Sequence, residues 1–210
     1  RNRIRLLRTV EKVEGKETVR QHLAQLASGA RINCTQEVIV SSASPAETIH
    51  SASKDAALVF MGFKSPEETA IFARRLGTSL RPGDVVLLEG SIGSGKTHFA
   101  RNLIQSLMAE PEDVPSPTFT LVQAYDTPSG EIWHCDLYRL SAAEEVDELG
   151  LTEAFDTAIC LVEWPDKLGP LAPRGALTLT FETDPNNTEF RHVTLSWTAP
   201  KWVEKLENTA

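Results

Sequence analysis

Residues 85–97 read Val85-Val86-Leu87-Leu88-Glu89-Gly90-Ser91-Ile92-Gly93-Ser94-Gly95-Lys96-Thr97, and this stretch decides the fold. Val85–Glu89 is a short apolar run preceded by the turn Arg81-Pro82-Gly83, the pattern of a strand buried on both faces. Gly90–Thr97 then matches G-x-x-x-x-G-K-[ST]. Average residue usage supplies such a match by chance in about one chain of this size in a hundred. A strand before it and a helix pattern over Thr97–Met108 after it make chance rarer still. The chemistry accounts for the residue types. Glycines let the backbone curl and bring its N–H groups onto phosphate oxygens, and the helix start adds its positive dipole end. Gly90, Ser91, Ile92, Gly93, Ser94 and Gly95 form this cradle. Lys96 places a compact charge on the β- and γ-phosphates, and Thr97 offers a hydroxyl to Mg²⁺. The expected ligand is a magnesium nucleotide, ATP above all.

Working outward, Leu58–Phe63 is a strand candidate, and Ser65-Pro66-Glu67-Glu68 opens a helix that ends near Leu80. Ser65 is its N-cap, Pro66 its first residue and Glu68 the closing acid of a capping box. On the other side, Leu121–Tyr125 and Ile132–Leu137 flank Thr127-Pro128-Ser129-Gly130, a hairpin signal. Ser141–Phe155 reads as one acidic helix, with Ser141 and Glu144 at capping-box spacing. Ala158–Val162 is a second wholly apolar strand, and Leu177–Glu182 with His192–Trp197 form a final hairpin around Asp184-Pro185-Asn186-Asn187. The expected fold is α/β, a three-layer sandwich of the P-loop NTPase kind with a mixed, partly antiparallel central sheet and terminal β-hairpins.

Residues 1–57 read as an N-terminal extension and 58–210 as the nucleotide-binding domain. The extension shows helical patterning through Val19, Leu23 and Leu26, and its Ser- and Ala-rich stretch 41–55 reads as a linker. Charge divides the same way: residues 1–57 carry 9 Lys+Arg against 6 Asp+Glu, residues 58–210 carry 12 against 23, and the whole chain is −8. A domain at −11 gains nothing from counterion release on a polyanion, so it is a poor nucleic-acid binder by itself. RNA would have to be brought by a partner. No apolar run reaches the eighteen or so residues of a membrane span, and Arg1, Arg3, Arg5 and Arg8 precede no secretory apolar stretch. Cys34, Cys135 and Cys160 lack metal-ligand spacing and are expected to act as small hydrophobes. A soluble cytoplasmic protein, with no membrane partner, is the expectation.

Mg²⁺ at such a loop needs an acid at the end of a second buried strand. Glu163 after Ala158–Val162 supplies a candidate, a glutamate where aspartate is commoner; the other reading is an exposed strand-end carboxylate. Asp136 ends the hairpin strand and either orients a water or a hydrated metal, or is an ordinary strand-end acid. Ser116-Pro117-Thr118-Phe119-Thr120 carries hydroxyls suited to sensing a γ-phosphate, although its composition also suits a structural turn. His134 is expected to pack or hydrogen-bond rather than transfer protons. Trp164 either covers the site or fills core, and the run Glu144–Glu148 is either a solvated face or a docking surface for a basic partner.

Five motifs stand in order: Gly90–Thr97; Ser116-Pro117-Thr118-Phe119-Thr120-Leu121-Val122; His134-x-Asp136-Leu137-Tyr138-Arg139-Leu140; Glu148-Leu149-Gly150-Leu151; and Val162-Glu163-Trp164-Pro165. Over residues 58–200 or so, the chain closely resembles the TsaE (YjeE) family, small ATPases needed in bacteria for threonylcarbamoyladenosine modification of tRNA. The resemblance implies ATP with Mg²⁺, the metal held by Thr97 and Glu163. It also implies a catalytic or metal-positioning role for Asp136 and a nucleotide-responsive loop containing Thr118 and Thr120. It implies weak hydrolysis that acts on the TsaB–TsaD threonylcarbamoyl transferase, with tRNA met only through that complex. His98 stands where the family often has a second threonine, which affects nucleotide or metal affinity if it faces the ligand. Ser94 replaces a frequent alanine, and residues 1–57 have no counterpart in the compact family domain.

Two other functions compete. A small-molecule kinase needs several arginines around both phosphate groups, and after the loop this chain has only Arg101, Arg139, Arg174 and Arg191. A GTP-dependent switch would carry an N-K-x-D element, which does not occur.

Overall fold

The fold is described from a computed structural model covering residues 4–10, 17–21, 24, 34–40, 58–141, 144–184 and 187–207. Its strands are β1 (Ile4–Val10), β2 (Cys34–Val40), β3 (Leu58–Phe63), β4 (Val85–Gly90), β5 (Val122–Thr127), β6 (Gly130–Asp136), β7 (Ile159–Glu163), β8 (Leu177–Asp184) and β9 (Asn187–Trp197). Its helices are α1 (Pro66–Ser79), α2 (Lys96–Leu107), α3 (Glu144–Glu148), α4 (Leu151–Thr157) and α5 (Lys201–Glu207), with a 3-10 segment over Pro165–Leu171.

The stretch Val85–Gly90 takes the middle place in a seven-stranded sheet of order β3-β9-β8-β4-β7-β6-β5. Its neighbours β7 and β8 are both parallel to it, as β6 is to β7, whereas β5, β9 and β3 pair antiparallel. A strand flanked on both sides and covered on both faces has no room for a polar residue, which is why Val85–Leu88 are apolar and buried, the exposed Glu89 coming only at the strand's end. Alternation divides its side chains between two cores. Val86 and Leu88 join Phe72 and Leu76 of α1, Phe99, Leu103 and Ile104 of α2, and Trp202 of α5. Val85 and Leu87 face Val146 of α3, Leu151 and Phe155 of α4, and Leu168 of the 3-10 segment. The result is helix, sheet, helix: the three layers and mixed sheet expected from sequence.

Helix α1 starts as read, with Pro66 at the first helical position and Ser65 Oγ accepting from the Glu68 amide at 3.3 Å. The return bond differs, because the Glu68 carboxylate accepts from the Lys64 amide rather than from Ser65. The acidic stretch after Ser141 also differs from the single helix expected. It is two short helices, broken where Gly150 adopts a left-handed φ of 74°, a conformation costly for other residues. There the Ser141 amide donates to Glu145 instead of Glu144. Helix α5 was not expected from the sequence at all. It is fixed by Asp84, a buried acid at the start of β4 that takes Lys201 at 2.9 Å and Lys205 at 2.7 Å, and by Trp202, whose indole donates to the Gly175 carbonyl.

Within residues 1–57, β1 and β2 form a two-stranded parallel sheet, and residues 17–21 are helical. The strand at Ile4–Val10 lies in a stretch read only for helical periodicity; its crowding of Ile4, Leu6, Leu7 and Val10 suits extended backbone. The linker at 41–55 lies outside the described residues, as do Leu23 and Leu26.

Cys135 and Cys160 are both fully buried on adjacent strands. Burial raises the Cys135 thiol well above its usual value and pushes Cys160 up to about 12. A thiol alkylates as its thiolate, so in a Cys34→Ser background the native protein is expected to resist iodoacetamide at pH 8. Both thiols should react once denaturant is added. Mass spectrometry of the alkylated chain checks this, and rapid native labelling of either would contradict the packing.

Candidate functional site

Three parallel strands deliver the site. β4, β7 and β6 end side by side, with Leu88 paired to Glu163 and Glu163 paired to Asp136. Parallel strands point their carboxyl ends to one edge, where open α/β sheets form ligand crevices. The loop at Gly90–Thr97 leaves β4 at that edge and returns as α2.

Two glycines make the loop possible. A Cβ on Gly90 would come within 2.5 Å of the Phe181 carbonyl and 2.7 Å of Ser94 Oγ, so no other residue fits. Gly95 precedes α2 with φ 109°, a value that L side chains rarely adopt. Ser91, Ile92 and Gly93 form the exposed tip. Ser94 turns inward, and its Oγ is buried without a hydrogen-bond partner among the described residues.

Lys96 is 4% exposed and curls back over the loop, its ammonium donating to the carbonyls of Gly90 at 2.8 Å and Ser91 at 2.9 Å. The Trp164 ring lies 4.1 Å beneath it, a cation–π contact. Burial pulls this ammonium below the usual lysine value, opposed by the carboxylates of Glu163 and Asp136. Trp164 thus does both things its sequence position allowed: it packs against the core and it touches the site. Its backbone sits at φ 60°, a strained conformation for so bulky a residue, of the kind that collects at functional sites.

Thr97 and Glu163, 66 residues apart, meet directly. Thr97 Oγ1 donates to the Glu163 carboxylate at 2.9 and 3.0 Å. Glu163 is buried, not the exposed strand-end acid of the alternative reading, and His134 Nε2 holds its Oε1 at 2.9 Å from the neighbouring strand. His134 therefore hydrogen-bonds and packs, as expected. Asp136 is buried too. Its Oδ2 accepts from Ser116 Oγ at 2.9 Å and Thr118 Oγ1 at 2.6 Å, while Oδ1 accepts from the Tyr138 amide. The strand-end carboxylate so ties the 116–120 loop to the end of β6.

The remaining candidates lie further off. Thr120 is exposed on the same loop. His98 turns its ring to the Pro66 carbonyl at 2.9 Å, towards the start of α1. One contact went unread in the sequence. Arg191 of β9 reaches the loop and donates through Nε to the Ser94 carbonyl at 2.8 Å. No motif marks it, since its place follows from the pairing of β9 with β3 and β8.

The residues fit a metal-bound polyphosphate. Two buried carboxylates, Glu163 and Asp136, stand beside the Lys96 ammonium, so a bare triphosphate would meet their repulsion, and a divalent cation would relieve that conflict. The hydroxyl of Thr97 and the carboxylate of Glu163 would hold Mg²⁺, which keeps several waters and needs few protein ligands. No cluster of three metal-ligating His, Cys, Asp or Glu side chains occurs among the described residues. Among the described residues no helix is long and apolar enough to cross a membrane.

Comparison with known proteins gives the family. The family model described as "Threonylcarbamoyl adenosine biosynthesis protein TsaE" matches residues 63–193. A TsaE protein of Rickettsia bellii is 46% identical over 109 residues, covering 52% of this chain and 76% of that one. One of Bacillus subtilis is 35% identical over 119 residues, covering 56% and 73%. The crystal structure of Bacillus subtilis YdiB superposes with a TM-score of 0.60 at 26% identity, over 72% of this chain and 93% of that one. The phosphate loop, both strand-end acids and the hydroxyl loop all fall inside the matched region, and the chain belongs to the TsaE family of threonylcarbamoyladenosine biosynthesis proteins.

Proposed function

We propose that this protein binds ATP with Mg²⁺ at Gly90–Thr97, hydrolyses it slowly, and in the cytoplasm drives tRNA threonylcarbamoyladenosine formation by acting on a TsaB–TsaD transferase. The observation carrying this reading is the direct bond from Thr97 of the loop to Glu163 at the end of the neighbouring parallel strand. It sets a hydroxyl and a carboxylate beside a buried ammonium, the groups that place a metal against phosphates. Bound there, the ion supplies neutralisation of phosphate charge. The chain's own residues then divide the work. Loop amides and Lys96 bind and orient the phosphates, Glu163 fixes the Thr97 hydroxyl, and Asp136 orients a water.

Partner dependence rests on the rim. Ile92 is 73% and Phe119 84% exposed, and Tyr138 is 46% exposed on the residue pair that follows Asp136. Large apolar side chains bare at the mouth of a site suit burial by another protein. The net charge of −8 argues against direct capture of tRNA. A kinase is disfavoured by the use of its arginines: Arg101 holds the Val114 carbonyl, Arg139 lies over Phe119, and Arg191 holds the loop backbone.

Reconstitution of threonylcarbamoyl transfer to tRNA tests the proposal. With TsaB and TsaD present, adding this chain and ATP should raise multiple-turnover modification, and omitting either should abolish the gain. Equal modification with and without the chain would refute it.

A further inference from the structure

The geometry points to Arg191 as a positioning residue for the phosphate loop, acting on the Gly95 amide through the Ser94 carbonyl. The inference rests on reading Gly90–Thr97 as a nucleotide site. Arg191 stands on β9 between Phe63 of β3 and Thr183 of β8. Its Nε donates to the Ser94 carbonyl at 2.8 Å, while Nη1 donates to the carbonyl of its neighbour Phe190 at 3.0 Å. The second bond braces the guanidinium against its own strand. A Cβ built on Gly95 would lie 3.6 Å from Nε, so the side chain rests on the loop backbone itself.

The consequence follows from peptide geometry. The Ser94–Gly95 peptide is planar and trans, so its C=O and its N–H point in opposite directions. Fixing the carbonyl towards β9 turns the Gly95 N–H away from β9. Gly95 has φ 109° and no side chain to lock the peptide plane, and glycine permits rotations that other residues forbid. One residue on, α2 begins and Lys96 extends. A peptide free to rotate at this point would spend part of its time with a carbonyl, not an amide, turned to a phosphate. Arg191 removes that freedom before ligand arrives, which is preorganisation.

Two substitutions isolate the bond. Arg191→Gln places an amide nitrogen at the same branch position as Nε, neutral but still a donor. Arg191→Met keeps the length and removes the donor. The probes are Mg·ADP and inorganic pyrophosphate, measured by calorimetry, and the Gly95 amide resonance followed in ¹⁵N-labelled protein. The wild type should show a large downfield Gly95 shift on binding. Arg191→Met should lose most of that shift and bind both probes about tenfold more weakly, while Arg191→Gln retains the shift and most of the affinity. A wild-type Gly95 shift undiminished in Arg191→Met, whatever its affinity, would overturn the positioning role. Failure of the wild type and of every variant to bind either probe would instead overturn the nucleotide-site reading on which it rests.

Discussion

Lys96→Ala is expected to raise the dissociation constant for Mg·ATP roughly 100-fold while leaving the ligand-free fold almost unchanged. Removing one member of a desolvated charge pair costs about 2–5 kcal/mol, and about 3 kcal/mol corresponds to this factor. The fold should tolerate the change because the ammonium is not paired with a buried acid as a structural bridge. It donates to two loop carbonyls, Gly90 and Ser91, at a site where burial already disfavours its charge. Of the carbonyls it releases, that of Ser91 lies on the exposed loop tip and that of Gly90 is half-buried at the end of β4, so water can replace the ammonium from the tip side. Thermal denaturation separates the two effects. At nucleotide one hundred times the wild-type dissociation constant, ligand should stabilise the wild type by about 2.7 kcal/mol and the variant by about 0.4 kcal/mol. A variant with the wild-type ligand shift would mean that Lys96 does not face the phosphates. A variant that unfolds without ligand would mean that its contacts with the loop and Trp164 are structural.

How much of this was legible beforehand depends on whether the determining interaction is local. Strand β4 and the start of α1 were readable because each is fixed by its own residues: an unbroken apolar run, and a Ser-Pro-Glu-Glu start. The loop was readable from its own glycine, lysine and threonine spacing, although the tightest steric demand on Gly90 comes from the distant Phe181 carbonyl of β8. The failures are non-local. Helix α5 exists where it does because Asp84, more than a hundred residues earlier, holds Lys201 and Lys205. The break at Gly150 was visible as a glycine, but a lone glycine inside a helical pattern is also tolerated, so periodicity won wrongly. Within the site, residue types named Thr97, Glu163 and Asp136 as candidates but could not say which would meet. The register of β4, β7 and β6 decides that, placing Glu163 on Thr97 and Asp136 on the 116–120 loop. Arg191 shows the limit: its contact with Ser94 spans 97 residues and uses no motif.

That division of partners yields the second large effect, because the two acids should fail differently. Glu163 touches the Thr97 hydroxyl and His134, so on the proposed reading its charge acts on the metal. Glu163→Gln keeps the shape and can still accept from both neighbours, yet it removes one of the two negative charges. Its nucleotide affinity should become nearly the same in Mg²⁺ and in EDTA, whereas the wild type should bind far more tightly with the metal. Asp136 touches Ser116 and Thr118 instead. Asp136→Asn retains an oxygen for those hydroxyls, so loop and fold should survive, and affinity should remain Mg²⁺-dependent and within a few-fold of wild type. Hydrolysis, measured as single-turnover phosphate release, should fall in both variants by roughly 100- to 1,000-fold, the usual loss when a positioned acid–base or electrostatic group is removed. The two signatures are separable: loss of turnover with loss of metal dependence for Glu163, loss of turnover alone for Asp136. If Asp136→Asn also abolished the Mg²⁺ effect, both carboxylates would belong to the metal. If Glu163→Gln kept it, the bond from Thr97 would be a fold contact and the metal would have to be held elsewhere.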